Sequence, residues 1–220
     1  MLSYENLFLM KVLIGCEYSG ITRDAFKNAG WDAWSCDLLP TERPGKHIQG
    51  DVLDAAGKGW DLFICHPPCK YLSYAAKKYW NDPGREEKRQ SAMRFFMDCW
   101  NVQVDQVALE NPLGYPFEAF RSADQILQPY FFGESEQKRI CLWLRGLPKL
   151  IHTPVDTLFE RRTHTDKPNP VYVDKSGKRR YFTDRFAGNS KHGAHLRAKS
   201  FASIAQAMAE QWTEYFYHFA

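Results

Sequence analysis

An α/β fold, with a mostly parallel sheet and helices on both faces, is predicted by three observations. Short apolar runs of three to five residues recur along the chain, such as Leu62 to Cys65 and Val107 to Leu109, as buried strands do. Between them lie stretches with apolar residues at helical spacing. Strand and helix alternate through most of the sequence, the order that builds a parallel sheet. At 220 residues the chain is one domain able to bury a real core. The expected division is a core over residues 1–150, a small basic insertion over 151–186, and a C-terminal turn and helix over 187–220 that packs back on the core.

Bulk properties exclude several classes. The formal net charge is only +3, so composition alone does not announce a nucleic-acid binder. No run of 18 apolar residues exists, and no membrane partner is expected. The first ten residues lack the charged start, apolar stretch and cleavage site of a signal peptide. Met10-Lys11 directly precedes the first strand-like run, so residues 1–9 read as an extension or as a misplaced start. Six cysteines scattered through apolar segments fit a reducing, cytoplasmic setting. Cys65, His66 and Cys69 have two prolines among them and no second pair at ligand spacing, so no metal site is expected.

Lys11 to Gly15 is the opening strand. It enters Cys16-Glu17-Tyr18-Ser19-Gly20 and then a helix carrying Ile21, Ala25, Phe26 and Ala29 that ends at Gly30. Strand, glycine-containing turn and helix open many nucleotide-cofactor folds, where helix N–H groups meet the ligand; an ordinary turn reads the same way. Ala33 to Cys36 is a second strand ending in Asp37, near the spacing at which a carboxylate accepts ribose hydroxyls; a solvated strand-end Asp reads the same way. After a loop over residues 38–46, Ile48 to Val52 reads as another strand end, with Asp51 placed to accept from an adenine amino group.

Trp60 to Ser73, WDLFICHPPCKYLS, is the stretch around which the rest is organised. The apolar run Leu62 to Cys65 stops at His66 and two prolines, which cannot donate to a ladder. Cys69 is thereby presented beyond a strand's C-terminal end, where open α/β sheets keep their ligand crevice. A thiol held there is a candidate nucleophile. Tyr74 to Arg85 reads as a mobile lid or an ordinary surface loop, and a helix from Glu86 carries Met93, Phe96 and Trp100 as core.

Val107 to Leu109 is a further strand, ending in Glu110-Asn111-Pro112. Phe120 to Leu127 reads as a short helix, and Ile140 to Leu144 as a late strand with Arg139 at its mouth. From residue 151 strand periodicity fades. Residues 151–200 hold 11 Lys/Arg against 5 Asp/Glu, a basic patch suited to a phosphate backbone, a single nucleotide phosphate, or solvent. Lys175 to Lys178 reads as a hairpin tip between Val171–Val173 and Tyr181-Phe182. Phe201, Ile204, Ala205, Met208, Trp212 and Tyr215 form the stripe of a final helix.

In this order the motifs resemble those of S-adenosylmethionine-dependent C5-cytosine methyltransferases. Pro68-Cys69 is similar to that family's nucleophile motif, and Glu110-Asn111-Pro112 to its Glu-Asn-Val motif. The Gly15–Gly20 turn, Asp37 and Gly50-Asp51-Val52 resemble its cofactor motifs, Gln137-Lys138-Arg139 its Gln-x-Arg motif, and Gly188-Asn189-Ser190 its final motif. The resemblance runs from about residue 11 to 212. It implies a Rossmann-like methyltransferase fold with S-adenosyl-L-methionine as methyl donor. It assigns catalysis to Cys69, Glu110 and Arg139, and cofactor binding to Gly15, Glu17, Tyr18, Gly20, Asp37, Asp51, Pro67 and Asn189.

The chain departs from the family in places. Cys-Glu-Tyr-Ser-Gly replaces a tighter glycine pair, and Pro112 replaces valine. Aligned on Gln137, the family's second arginine falls on Cys141; aligned on the following strand, it falls on Arg139. Only residues 151–186 stand where DNA-acting members carry a large recognition domain, less than a full second domain.

The residue types suit the chemistry. A thiolate adding to cytosine C6 makes C5 enamine-like, and cysteine supplies a strongly nucleophilic thiolate. A carboxyl group at Glu110 can bond N3 and the exocyclic amine of the base. A cysteine after Pro-Pro, where amino-group methyltransferases place an aromatic, argues for carbon methylation. The expected partner is DNA, with its base flipped. The alternatives are a free pyrimidine nucleotide such as dCMP, or a catalytically silent protein of this fold that binds nucleic acid or another partner.

Overall fold

The computed structural model describes residues 9–57, 59–156, 162–175, 177, 179–180 and 199–219. Arg161, Lys178, Tyr181, Phe182, Arg185 and the Gly188-Asn189-Ser190 motif lie outside the described residues.

Among the described residues seven strands form one sheet: β1 (Lys11–Gly15), β2 (Asp32–Asp37), β3 (His47–Gln49), β4 (Leu62–Cys65), β5 (Gln106–Pro112), β6 (Gln125–Leu127) and β7 (Ile140–Arg145). Their order is β3-β2-β1-β4-β5-β7-β6. Pairing is parallel from β3 across to β5, while β7 runs antiparallel to both β5 and β6. The chain steps outward from β1 to β3 and then returns to lay β4 on the other side of β1. That reversal is the switch point of a Rossmann-like doubly wound sheet, and it opens a crevice at the strands' C-terminal ends.

Helices α1 (Ile21–Asn28), α2 (Val52–Ala56), α3 (Arg85–Trp100), α4 (Pro116–Ala119) and α5 (Ala202–Phe219) accompany the sheet. Side chains alternate along each strand, so Val12, Ile14, Leu62, Ile64 and Ala108 pack with Phe26 of α1 and with Met208 and Trp212 of α5. Leu13, Phe63, Cys65, Val107 and Leu109 pack on the other face with Val52 of α2 and with Met93 and Phe96 of α3. Both faces are covered, which is why β4 is apolar throughout instead of alternating. Trp212 Nε1 donates to Pro148 O at 3.0 Å, and Trp31 Nε1 to Thr213 Oγ1 at 2.7 Å. The first is partly buried and the second buried, and they fix α5 against the segment after β7 and the residues after α1.

Three elements differ from the sequence reading. Phe120 to Leu127 is not a helix. The helical turn is α4, before it, and Gln125–Leu127 is the edge strand β6. Asp124 sets this: its backbone N–H donates to Leu142 O at 2.8 Å, and its Oδ2 accepts from Leu144 N at 2.7 Å. These partners on β7 are remote in sequence and override local propensity. The strand expected over Ile48–Val52 stops at Gln49, because Asp51 Oδ1 accepts from Leu53 N at 2.9 Å and caps α2. The hairpin pairs β8 (Tyr172–Val173) with β9 (Arg179–Arg180), so the return strand begins before Tyr181.

Tyr74–Tyr79, expected as a lid, forms a short 3₁₀ helix whose Ser73 Oγ accepts from Ala75 N at 3.2 Å. Among the described residues no helix is long and apolar enough to cross a membrane.

Candidate active site

The end of β4 is sewn to the end of β5. His66 N donates to Gly15 O at 3.0 Å as the last rung beyond β4, and Pro67 and Pro68 close the ladder. Cys69 is exposed, and its carbonyl accepts from Leu72 N at 3.1 Å and Ser73 N at 3.0 Å, making a tight turn. Asn111 is 1% exposed, and its Nδ2 donates to Pro67 O at 2.7 Å. Tyr115 N donates to Leu72 O at 2.7 Å. Gly114 lies so close to that carbonyl that any Cβ would strike it. The Cys69 turn is therefore held by residues 111–115, through the Asn111 and Tyr115 hydrogen bonds and the close packing of Gly114.

Glu110 follows from register. Cys65 pairs with Leu109, so the next step sets His66 beside Glu110, both at positions that face the α5 side. His66 Nδ1 and Glu110 Oε2 are 3.0 Å apart. Burial pushes the imidazole down, but the hydrogen bond and charge of Glu110, with the charge of Glu17, carry it above its ordinary value. Burial pushes Glu110 up; the bond and charge of His66, with Lys138, bring it below. The pair favours imidazolium and carboxylate. His66 Nε2 is buried and makes no hydrogen bond to the described residues.

The turn after β1 forms the opposite wall. Cys16 has φ 56, a left-handed conformation uncommon outside glycine. Glu17 is 3% exposed, and its carboxylate accepts from Thr22 N at 2.6 Å and Arg23 N at 3.2 Å. The first N–H groups of α1 are thus satisfied from within the chain. Tyr18 is raised by burial and then by the charges of Glu42 and Asp37. Asp37, at the end of β2, accepts from Leu39 N at 2.9 Å.

Sequence reasoning passed over Arg23, which is fully buried. Its guanidinium donates to Asp24, Ser35 Oγ, Thr41 Oγ1 and the carbonyls of Arg43 and Pro44, clasping residues 41–44 to α1 and β2. Gly20 and Gly45 pack against that guanidinium.

These walls enclose a cleft of ≈ 210 Å³. Of the expected catalytic residues, Cys69 and Glu110 line it; of the expected cofactor residues, Tyr18, Asp37 and Pro67 do. Gly15, Glu17, Gly20 and Asp51 are not among the lining residues: Gly15 is hemmed in by Val52, Cys65 and Phe63, Glu17 caps α1, and Asp51 caps α2. Arg139 is exposed and outside the lining, whereas Lys138 lines the cleft. Alternation into β7 explains this, since Lys138 shares the face of Ile140. Asn189 lies outside the described residues. Cys16, Thr22 and His66 line the cleft without having been expected there. For His66 a signal existed: it ends one strand and Glu110 ends the next.

No family model and no curated protein matches the chain. One similar solved structure is an E. coli protein encoded within a prophage and provisionally assigned as a DNA modification methyltransferase. It is 13% identical, with a TM-score of 0.40, over 61% of this chain. The chain spans 46% of that structure's length. A likeness of this degree identifies neither family nor activity.

Proposed function

We propose that the chain is an S-adenosylmethionine-dependent enzyme that methylates cytosine C5 in DNA through a covalent bond from Cys69 to C6. The observation that carries this reading is that Cys69 and Glu110 line one cleft from the ends of adjacent strands, with Asn111 fixing the turn between them. A nucleophile and a carboxyl group so placed can act on opposite sides of one flat ring.

The cofactor wall suits a nucleoside without phosphates. Glu17 occupies the N–H groups of α1 on which a phosphate would otherwise sit. Thr22 Oγ1 and Asn111 Oδ1 are buried, make no hydrogen bond to the described residues, and belong to residues that line the cleft. Asp37 would accept from ribose hydroxyls and Tyr18 would lie beside them. When bound, S-adenosylmethionine supplies an electrophilic methyl group on a sulfonium. The protein's part is to add Cys69 to C6, to bond N3 and the exocyclic amine through Glu110, and to release Cys69 once the C5 proton has left.

The stretch after Cys69 favours nucleic acid over a free nucleotide. Lys70, Lys77, Lys78 and Arg85 lie over the rings of Tyr71, Tyr74, Tyr79 and Trp80 at 4.7–5.6 Å. Cations interleaved with aromatic rings beside the nucleophile suit a phosphate backbone and an unstacked base.

The test is incubation with methyl-labelled S-adenosylmethionine and, separately, duplex DNA, single-stranded DNA, RNA and dCMP, alongside Cys69→Ala. Label in DNA cytosine, abolished by Cys69→Ala, is expected. Label in dCMP alone assigns the free nucleotide instead. No label anywhere, with cofactor binding intact, makes the protein a silent binder.

A further inference from the structure

If Glu110 acts on cytosine N3, it must deliver a proton there. When a thiolate adds to C6, the C5=C6 pair moves to C5–C4, the C4=N3 pair moves to N3, and N3 must be protonated. A carboxylate held ionised by its neighbours has no proton to give. A proton within hydrogen-bond reach is on His66, whose Nδ1 lies 3.0 Å from Glu110 Oε2.

Everything around His66 isolates this pair. The ring ends β4, and its side chain is 12% exposed. The charged groups that act on it are Glu110 from β5, Glu17 from the turn after β1, and Lys138 from the approach to β7. Ile204, Ala205 and Met208 of α5 line the same cleft with apolar surface. Two carboxylates and one ammonium act on one imidazole, so a proton is retained at the pair.

We infer that His66 is a positioning and proton-holding residue for Glu110: the two share one proton, which moves from Nδ1 to Glu110 as Glu110 protonates N3 of the bound base. This rests on the function proposed above. The steps balance. The Cys69–C6 bond forms, N3 gains the proton, and His66 becomes neutral. After C5 has taken the methyl group, the C5 proton passes to solvent and the C6–S bond breaks. The proton on N3 then returns to Glu110 and His66, so one turnover releases one proton to solvent. His66 Nε2 is buried and makes no hydrogen bond to the described residues, whereas Nδ1 meets Glu110, so Nδ1 is the atom through which the ring acts.

Two experiments test this. The first is an NMR titration of the His66 imidazole in the free protein, compared with Glu110→Gln. A midpoint above the ordinary imidazole value of 6.5 is expected in the native protein, and it should fall in the variant, which removes the carboxylate charge. An unchanged midpoint overturns the shared proton whatever the enzyme does. The second is the pH dependence of methyl transfer in native protein and in His66→Asn, whose amide can keep the hydrogen bond but cannot supply the proton. His66→Asn should move the alkaline limb to lower pH and cut kcat by about tenfold or more on that limb, with little change in KM for the methyl donor. A kcat lowered equally at every pH means a structural role and overturns the inference. If native protein methylates no cytosine substrate, the proposed function fails, and the titration still decides whether the proton is shared.

Discussion

Glu17 and Glu110 are both acids at the C-terminal ends of sheet strands, yet they have opposite lives. Glu17 is tied to backbone N–H groups of α1, partners that cannot titrate or leave. Glu110 is tied to a side chain that can change its charge. Glu17 spends its carboxylate on the local fold, and sits outside the cleft lining that contains Glu110. A fixed partner makes an acid structural, whereas a titratable partner in a cleft keeps it available for chemistry.

The largest effect bears on what Glu110 serves. Cys69→Ala should lower methyl transfer by at least ~10³-fold, with an unchanged unfolding midpoint, because the exposed thiol contributes little packing; retained transfer separates Glu110 from any nucleophile. Next, Glu110→Gln should cost about 10²-fold in kcat, read by single-turnover transfer, with circular dichroism unchanged. Glu17→Ala should reverse that pattern: two N–H groups at a buried helix start lose their acceptor. Denaturant unfolding should show a loss of about 2 kcal/mol, and transfer per folded molecule should change less than for Glu110→Gln. Equal behaviour of the two variants would erase the distinction between the acids.

The smallest effect concerns pH. His66 lies above 6.5 in the folded protein, so its contribution to stability is complete below that value and lost as pH rises through the folded value. Glu110 lies below 4.5, so its contribution is complete above that value and lost as pH falls through the folded one. The pair therefore stabilises most between these limits. A double-mutant cycle of His66→Asn and Glu110→Gln should give a coupling of about 1 kcal/mol near pH 6. It should fall as pH rises through the folded value of His66, whereas a coupling constant over that range would mean the pair does not carry the charges assigned to it.

Much of this was legible in the sequence because buried parallel strands must be apolar and must end in something that is not. Leu62 to Cys65 and Val107 to Leu109 announce themselves, and Pro67-Pro68 and Glu110 mark where they stop. β6 was misread because three residues carry little pattern, and its state is decided by β7, remote in sequence. α2 is five residues long, too short for periodicity to show. Arg23 was invisible because burying an arginine runs against its ordinary habit; only the set of acceptors gathered from five other residues makes it tolerable. His66 is the instructive case. Its type and place were visible, but its partner was not, since that depends on β4 lying beside β5 in the register Cys65 to Leu109.

The most direct measurement is covalent trapping on DNA containing 5-fluorocytosine, in the presence of S-adenosylmethionine, with the adduct mapped by peptide mass spectrometry. Fluorine at C5 blocks the final elimination, so the base should remain bonded to the peptide that carries Cys69, with one methyl group added. Methyl transfer to ordinary cytosine without such an adduct, or an adduct on any other residue, would contradict Cys69 as the nucleophile of this cleft.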